Sequence, residues 1–170
     1  MAGMKILITT DWYKPVINGV VTSVVTLKDH LEGLGCEVRV VTLSGKGYAY
    51  REGDVYYLPS VDASRIYPGA RAAFPPCRGL GEILYWRPDL IHSQCEFSSF
   101  LVAKWIGERL RIPIVHTYHT VYEDYTHYFS AGKPWGKQAA ALFSRFILER
   151  TDRVIVPTKK VAGLLAGYGV

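Results

Sequence analysis

Histidines and carboxylates are concentrated in one short stretch of the chain, PIVHTYHTVYEDYTHYF, at residues 113–129. Five side chains there could bind a metal ion or transfer a proton: His116, His119, Glu123, Asp124 and His127. Side chains alternate in an extended segment, so His116 and His119 would point to opposite faces and could not share one metal ion without a bend. Glu123 and His127 could share a helix face, but the set matches no known metal-ligand spacing. The stretch therefore predicts a pocket rim without a metal, with His119 at the strand end and His116 in the core.

The common catalytic and nucleotide-binding signatures are missing from the sequence. There is no G-x-S-x-G nucleophile elbow, which disfavours a hydrolase. There is also no G-x-G-x-x-G and no G-x-x-x-x-G-K-[ST], which disfavours a conventional dinucleotide or P-loop site. Asn18-Gly19 nevertheless precedes a long helix, whose free backbone N–H groups would suit a phosphate. Asn-Gly is equally typical of a simple turn, so both interpretations remain open.

Short apolar runs that are typical of buried strands alternate with segments of helical periodicity. The predicted strands are residues 5–10, 36–43, 54–61, 88–94, 112–118 and 153–158. The predicted helices are residues 20–34, 98–110 and 134–150 and a last one from residue 161 to 167, with 62–81 irregular. The residues expected on the inward helix faces are Val20, Val24, Leu27, Leu31 and Leu34, then Leu101, Trp105 and Ile106, then Ala139, Leu142, Phe143, Phe146 and Ile147.

Strands that are apolar on both faces and alternate with helices predict an α/β fold, with a Rossmann-like, doubly wound and mainly parallel sheet covered by helices on both sides. Ligands of such sheets bind beyond the carboxyl ends of the strands. The residues that follow the predicted strands are Asp11, Trp12, Tyr13, Asn18 and Gly19, then Ser93, Gln94, Cys95 and Glu96, then Tyr118, His119 and Thr120, then Thr158 and Lys159. We expect these residues to converge on one edge of the sheet.

Composition limits the compartment and the partners. The 170 residues carry a net charge of +5, which is compatible with nucleic acid, an anionic membrane surface or a phosphate-bearing substrate. We find no recognition helix or stacking platform that would indicate nucleic acid. No apolar run is long enough to span a bilayer, no secretory signal is evident, and three irregularly spaced cysteines indicate reduced thiols, so a cytoplasmic protein is expected.

Two basic stretches are interleaved with aromatic residues. Their possible membrane-facing residues are Arg65, Arg71, Arg78, Lys133 and Lys137, with Tyr67, Phe74, Tyr85, Trp86 and Trp135 as headgroup-level aromatic side chains. One interpretation is a surface that rests on anionic lipid. The other is an ordinary solvated face.

Four segments together resemble a known family: KILITTDWYKPVINGVVTSVVTLKDHLEGLGCEVRVVT, PDLIHSQCEFSS, PIVHTYHTVYEDY and RVIVPTKKVAGLLAGYGV. Their order and spacing are similar to the N-terminal half of retaining nucleotide-sugar glycosyltransferases with two Rossmann-like domains (the GT-B fold, family 4 type). HTYHTVYEDY resembles bacterial 1,2-diacylglycerol 3-glucosyltransferases most, although mannosyltransferases acting on phosphatidylinositol share the framework. The resemblance implies a peripheral enzyme on the inner face of the cell membrane that transfers glucose from UDP-glucose to a lipid acceptor.

The resemblance also implies residue roles. His119 corresponds to the histidine that reaches the transferred sugar. Acceptor- or phosphate-binding residues would be Asp11, Tyr13, Asn18, Gly19, Glu96 and Thr120, although the family commonly has two glycines where this chain has Asn18-Gly19. The family retains anomeric configuration without needing a protein nucleophile, because hydrogen bonds stabilise the developing charge.

The resemblance predicts that residues 4–170 form the acceptor-side domain and that the donor site lies in a C-terminal domain absent from this chain. The isolated domain would bind no cofactor and would be inactive. The alternatives are a transferase with a phosphoinositide or soluble acceptor, and a non-catalytic α/β binding module.

Overall fold

The structure is a computed structural model that describes residues 3–65, 69–119 and 134–170, apart from the side chains of residues 134–137 and 140. The predictions for Tyr67, Thr120, Glu123, Asp124, His127 and Lys133, and for the side chains of Trp135 and Lys137, lie outside the described residues. The main sheet has seven strands: β1 (Lys5–Thr9), β2 (Glu37–Ser44), β3 (Tyr50–Glu52), β4 (Val55–Pro59), β7 (Leu90–Ser93), β8 (Ile114–Thr117) and β9 (Arg153–Ile155). A small antiparallel ribbon pairs β5 (Val61–Asp62) with β6 (Arg71–Ala72).

Five helices are described: α1 (Gly19–Gly33), α2 (Gly81–Trp86), α3 (Ser98–Leu110), α4 (Pro134–Leu148) and α5 (Lys159–Gly167). The start and end of α3 are those predicted from sequence. Helix α1 ends at Gly33, and Gly35 adopts a positive φ of 85°, a conformation that glycine tolerates best. The helix therefore ends within one residue of the predicted end at residue 34.

The strand order in the sheet is β3-β4-β2-β1-β7-β8-β9. All neighbouring strands run parallel except β3, which pairs antiparallel with β4 at one edge. The order reverses between β1 and β7, because the chain first builds outward from β1 through β2 and then returns to the other side of β1. This confirms the mainly parallel Rossmann-like sheet and places its topological switch point at the carboxyl ends of β1 and β7.

Apolar residues fill both sides of the sheet, which explains why the central strands read as continuous hydrophobic runs. Ile6 and Ile8 pack under α1 with Val24, while Leu7 faces the opposite side with Ile83 of α2. A third cluster at the β8–β9 end joins α3, α4 and α5. The central strands β1, β2 and β7 are thereby buried on two faces.

Three predicted inward faces need correction. Leu34 is 80% exposed, because α1 has already ended at Gly33 and the chain turns away from the sheet. Leu101 is partly exposed on α3, whose buried side centres instead on residues such as Ala103 and Ile106.

The prediction for the inward face of α4 was also partly wrong. Ile147 is buried as predicted, but Ala139, Leu142 and Phe146 are exposed. Ser144 occupies the core-facing position, where its hydroxyl is 2.8 Å from the buried Tyr118 hydroxyl. The inward side of this helix thus includes a hydrogen-bonded serine beside the buried Ile147 and Leu148, and a search for apolar periodicity could not detect the serine.

The antiparallel ribbon formed with β6, the strand β3 and the helix α2 were not predicted from sequence. β3 forms within the loop between the second and third predicted strands, where Tyr50 stacks on Tyr57 with ring centroids 4.5 Å apart. α2 is a helix of only six residues, stabilised by burial of Ile83 and Trp86. Trp86 is therefore part of the core, and the prediction that it lies at a membrane surface was wrong.

Candidate functional site

Polar residues from three parallel strands meet at the switch point. The strand registers pair Thr9 with Ser93 and Ser93 with His116, so the carboxyl ends of β1, β7 and β8 lie level with one another. The backbone N–H of Gln94 continues this ladder by donating to the carbonyl of Thr9 at 2.9 Å. The residues that follow each strand are therefore brought to one edge, as the sequence predicted.

His119 lies at this edge immediately beyond β8 and is half-buried. Its Nε2 is 2.8 Å from Oε1 of Gln94, a side chain that is itself fully buried. Burial lowers the pKa of His119, while the nearby Glu96 opposes that shift and His116 reinforces it. The imidazole is consequently neutral at pH 7, with one nitrogen as a donor and the other as an acceptor.

Glu96 and His116 form a second polar pair beneath the edge. Their Oε1 and Nε2 atoms are 3.4 Å apart, and neither side chain has appreciable exposure. The edge of the His116 ring meets Phe100 of α3 at a centroid distance of 5.9 Å. His116 is therefore a core histidine, as the sequence predicted. Glu96 supports the site from within, and its predicted contact with the acceptor stays a prediction.

Asp11 joins β1 to the first turn of α3. Its Oδ1 accepts a 2.8 Å hydrogen bond from the backbone N–H of Ser99, one of the N–H groups that a helix start leaves without an intrahelical partner. Burial raises the pKa of Asp11 to about 6, although the Ser99 bonds lower it and Glu96 raises it further. The carboxyl group is 5% exposed, so the predicted role in acceptor or phosphate binding would need access from above the first loop.

The structure at the start of α1 bears on the two interpretations of Asn18-Gly19, a simple turn and a phosphate site. Oδ1 of Asn18 accepts a 2.8 Å hydrogen bond from the N–H of Val21, so Asn18 is the N-cap of the helix. Gly19 is exposed, and a Cβ built on it would meet nothing within 4 Å. Open space therefore remains above the helix start, and phosphate binding there stays a prediction. Tyr13 is buried in the cluster beneath α1, and burial raises its pKa.

One residue expected to surface beside His119 does not. Tyr118 is 1% exposed and packs with Phe100, Ile147 and Leu165. The alternation of the strand explains this, because Tyr118 continues the face of His116 while His119 begins the turn away from the sheet.

His92 is a polar residue of this edge that the site prediction missed. Its Nε2 is 2.8 Å from the hydroxyl of Thr117 on the neighbouring strand. Burial lowers its pKa to about 4, and the neighbouring His116 and His119 contribute to that shift. The signal in the sequence was a histidine inside the apolar run PDLIHSQ, one residue before the end of β7.

The predicted basic surface is only partly free. Arg65 and Arg78 are exposed, but the guanidinium of Arg71 donates to the hydroxyl and the carbonyl of Ser60 at 2.8 and 2.9 Å. Trp86 donates to Glu37 from the core. Within the described ranges, no group of three or more residues could hold a metal ion, and no helix is long and apolar enough to cross a membrane.

Comparison with known proteins gives a consistent result. Residues 17–170 match the family model described as Glycosyltransferase Family 4. The chain is 37% identical over 98% of its length to an alpha-monoglucosyldiacylglycerol synthase of Streptococcus pneumoniae and 34% identical over 93% to that of Acholeplasma laidlawii. It is 27% identical to a GDP-mannose-dependent alpha-mannosyltransferase of Mycobacterium tuberculosis.

The chain covers 38%, 42% and 46% of the lengths of these three relatives, so it spans less than half of each. Among solved structures it resembles a putative UDP-N-acetylglucosamine 2-epimerase of Listeria monocytogenes, with a TM-score of 0.55 and 16% identity over 99% of this chain and 43% of the other. At that identity the likeness shows the fold alone.

Proposed function

The chain belongs to glycosyltransferase family 4, and we propose that the protein containing it transfers glucose from UDP-glucose to a lipid hydroxyl, such as that of diacylglycerol. The two synthases named for monoglucosyldiacylglycerol are the basis for the lipid acceptor and the hexose. The proposed reaction retains anomeric configuration. Residues 4–170 would form the acceptor-side domain, and the nucleotide sugar would bind a further domain outside this chain, so this half alone would not turn over.

The observation that supports this proposal is the contact of 2.8 Å between His119 and Gln94 at the carboxyl edge, where burial lowers the pKa of His119 and so favours the neutral imidazole. A transferase of this type must stabilise charge as the sugar leaves its phosphate, and positioned hydrogen bonds do this without a covalent intermediate. A neutral imidazole can hydrogen-bond a sugar hydroxyl without the cost of desolvating a charge. The open space above Gly19 would accommodate a phosphate or the acceptor next to the N-terminus of α1.

Replacing His119 with alanine in the full protein tests the role of this side chain. We expect kcat to fall by about 10²-fold or more, the typical loss when one positioned hydrogen bond to the transition state is removed. The matched control is His30→Ala, because His30 is an exposed histidine on α1 whose Nδ1 lies 2.8 Å from the carbonyl of Thr26. Initial rates with UDP-glucose and diacylglycerol measure the effect, and unfolding curves confirm that both variants fold.

Near-normal turnover of His119→Ala would remove the catalytic role from this residue. Higher kcat/KM with GDP-mannose than with UDP-glucose would instead favour the mannosyltransferase alternative that the mycobacterial relative represents. If the full protein turned over no nucleotide sugar with any acceptor, the non-catalytic binding module would be the better description.

A lipid acceptor requires contact with a membrane, and we include an anionic surface on the cytoplasmic face among the proposed partners. Leu142 and Phe146 are 68% and 50% exposed on α4, and the guanidinium of Arg150 lies over the Phe146 ring at 3.6 Å. Arg65 and Arg78 are further exposed cations. Apolar side chains flanked by arginine suit the boundary between headgroups and acyl chains.

Co-sedimentation with vesicles tests this contact. We expect the protein to bind vesicles with anionic lipid more tightly than neutral ones at low salt, and replacing both Leu142 and Phe146 with serine should weaken that binding several-fold. Leu34→Ser is the matched control, since Leu34 is 80% exposed just beyond the end of α1. Equal binding to anionic and neutral vesicles at low salt would contradict the electrostatic part of the proposal.

A further inference from the structure

Gln94 connects the three strands that carry the candidate site. Its backbone N–H donates to Thr9 at the end of β1, and its side chain, 1% exposed, reaches His119 beyond β8. The amide is buried, and its Oε1 is within hydrogen-bond distance of the imidazole, whereas within the described ranges its own Nε2 has no hydrogen-bond partner. Among residues 3–65, 69–119 and 134–170, no other hydrogen bond to the His119 ring is present.

This contact also determines which ring nitrogen carries the proton. Oε1 of Gln94 lies 2.8 Å from Nε2 of His119, and a carbonyl oxygen can only accept. Nε2 must therefore carry the hydrogen, which leaves Nδ1 as the nitrogen with the lone pair. The reversed amide would impose the other tautomer, with the proton on Nδ1, so the two orientations make opposite predictions.

We propose that Gln94 is a positioning residue that holds His119 as the neutral Nε2–H tautomer, so that Nδ1 accepts a hydrogen bond from a hydroxyl group of the ligand. This inference rests on the proposed function and specifies the chemistry of that same site. A sugar or glycerol hydroxyl has a hydrogen to donate to Nδ1, whereas a fully ionised phosphate oxygen has none. His119 would thus select for the hydroxyl-bearing part of the substrates, and the phosphate would have to be bound elsewhere.

The ionisable groups around His119 are Glu96, His116 and His92, which come from the turn after β7, from β8 and from β7. Glu96 favours a charged imidazole and His116 disfavours it, while His92, whose own pKa is lowered to about 4, is uncharged where His119 titrates. Gln94 adds no charge to this balance. A carboxylate at position 94 would raise the pKa of His119, because an acidic oxygen at hydrogen-bond distance stabilises imidazolium.

Two substitutions in the full protein test the proposal. Gln94→Met keeps the buried volume but cannot accept from Nε2, and we expect a fall in kcat of about tenfold with little change in KM for the nucleotide sugar. Gln94→Glu keeps an acceptor, so the tautomer should persist, while the acidic limb of the kcat profile should move to higher pH by about one unit or more. Gln138→Ala is the control, since Gln138 is an exposed glutamine on α4.

The direct measurement is the ¹⁵N chemical shift of the His119 ring nitrogens in the resting protein. We expect a protonated Nε2 and an unprotonated Nδ1 in the wild type and in Gln94→Glu, and a mixture of tautomers in Gln94→Met. A wild-type protein with its proton on Nδ1, or a Gln94→Met variant with unchanged tautomer and kcat, would overturn the proposal. If Gln94→Met does not fold, the ¹⁵N shifts of the wild type still decide the tautomer, and the pH profile of Gln94→Glu still tests the contact between the two side chains.

The tautomer is measured without substrate, so the positioning role and the transferase activity can fail separately. The expected tautomer together with an active His119→Ala variant would uphold the contact with Gln94 and refute the catalytic role of His119. An unexpected tautomer together with an inactive His119→Ala variant would refute the role of Gln94 and uphold the catalytic role of His119.

Discussion

The polar side chains at the two ends of the parallel sheet differ in their burial and in their partners. At the amino end, a cavity of about 550 Å³ is lined by Lys5, Arg39 and Arg51 together with residues of α2. These cations have partners: Lys5 donates to the Trp86 carbonyl, Arg39 lies 3.5 Å from Glu37, and Arg51 lies 3.2 Å from Glu82. Arg39 also stacks over the Trp86 ring at 4.5 Å. The charges at this end stabilise one another and the short helix α2.

At the carboxyl end, the polar groups are buried with fewer partners. Within the described ranges, atoms of Thr9, Asp11, Gln94, Ser99 and His116 at this end are buried without a hydrogen-bond partner, whereas at the amino end this holds for Nε of Arg39. Burial also shifts the pKa of Asp11 upward and those of His92 and His119 downward, in each case toward the neutral form. Unpaired buried polar atoms cost free energy, and proteins retain them where they serve a function. The contacts of the amino end are structural, and the buried polar groups of the carboxyl end are those for which we propose ligand binding.

Asp11→Asn should have the largest effect of the substitutions at the two ends, and we expect it to raise the free energy of unfolding. Because burial raises the pKa of Asp11 to about 6 from 3.8, the folded state binds the proton more tightly than the unfolded chain. The resulting stabilisation is fully present below about pH 4 and is lost as the pH rises through 6, a loss of about 3 kcal/mol. Asparagine avoids this loss and keeps an oxygen for the N–H of Ser99.

The measurement is the free energy of unfolding of Asp11→Asn and wild type at pH 4 and pH 8. The variant should gain up to about 3 kcal/mol over wild type at pH 8 and little at pH 4. The difference between the proteins is the right quantity, because the low pKa of His92 makes wild-type stability fall toward acid pH, in the opposite direction. A gain that is the same at both pH values would show that ionisation of Asp11 is not the cause.

Arg51→Ala should have the smaller effect and sharpens the comparison from the other end. The side chain is 43% exposed and its ion pairs with Asp54 and Glu82 face solvent, so we expect a loss below about 1 kcal/mol. High salt should reduce the loss further, since it screens exposed pairs. Unfolding in low and high salt measures this, with Glu82→Gln as the companion variant. A loss of several kcal/mol would mean that the amino end is more than an exposed ion-pair network.

Sequence patterns predicted most of the fold correctly because the central strands are buried on both faces. Continuous apolar runs such as KILITT have only one stable placement, and the boundaries of α3 followed from the helical period of residues 98–110. Patterns failed where stability comes from specific contacts. β3 depends on the stacking of Tyr50 on Tyr57, and the inward face of α4 depends on the pairing of Ser144 with Tyr118.

The candidate site was predicted in outline only. The positions after each strand, including His119 and Gln94, followed from the rule that ligands bind at the carboxyl edge. The 2.8 Å contact between these two side chains did not, because they are 25 residues apart and belong to different strands. The burial of Tyr118 was not predicted either. The alternation of β8 continues for one more residue, so the side chain of Tyr118 faces the core.

The amino-acid sequence by itself determined the α/β class, the mainly parallel sheet and the edge at which polar residues gather. Those features follow from hydrophobic periodicity and from where each apolar run ends, and both are local properties. Only the tertiary structure decided that Asp11 joins β1 to α3, that Glu96 lies beneath the edge, and that Gln94 bonds His119. The reason is physical: side-chain hydrogen bonds and pKa shifts depend on distances and burial between residues far apart in the chain, which no local pattern encodes.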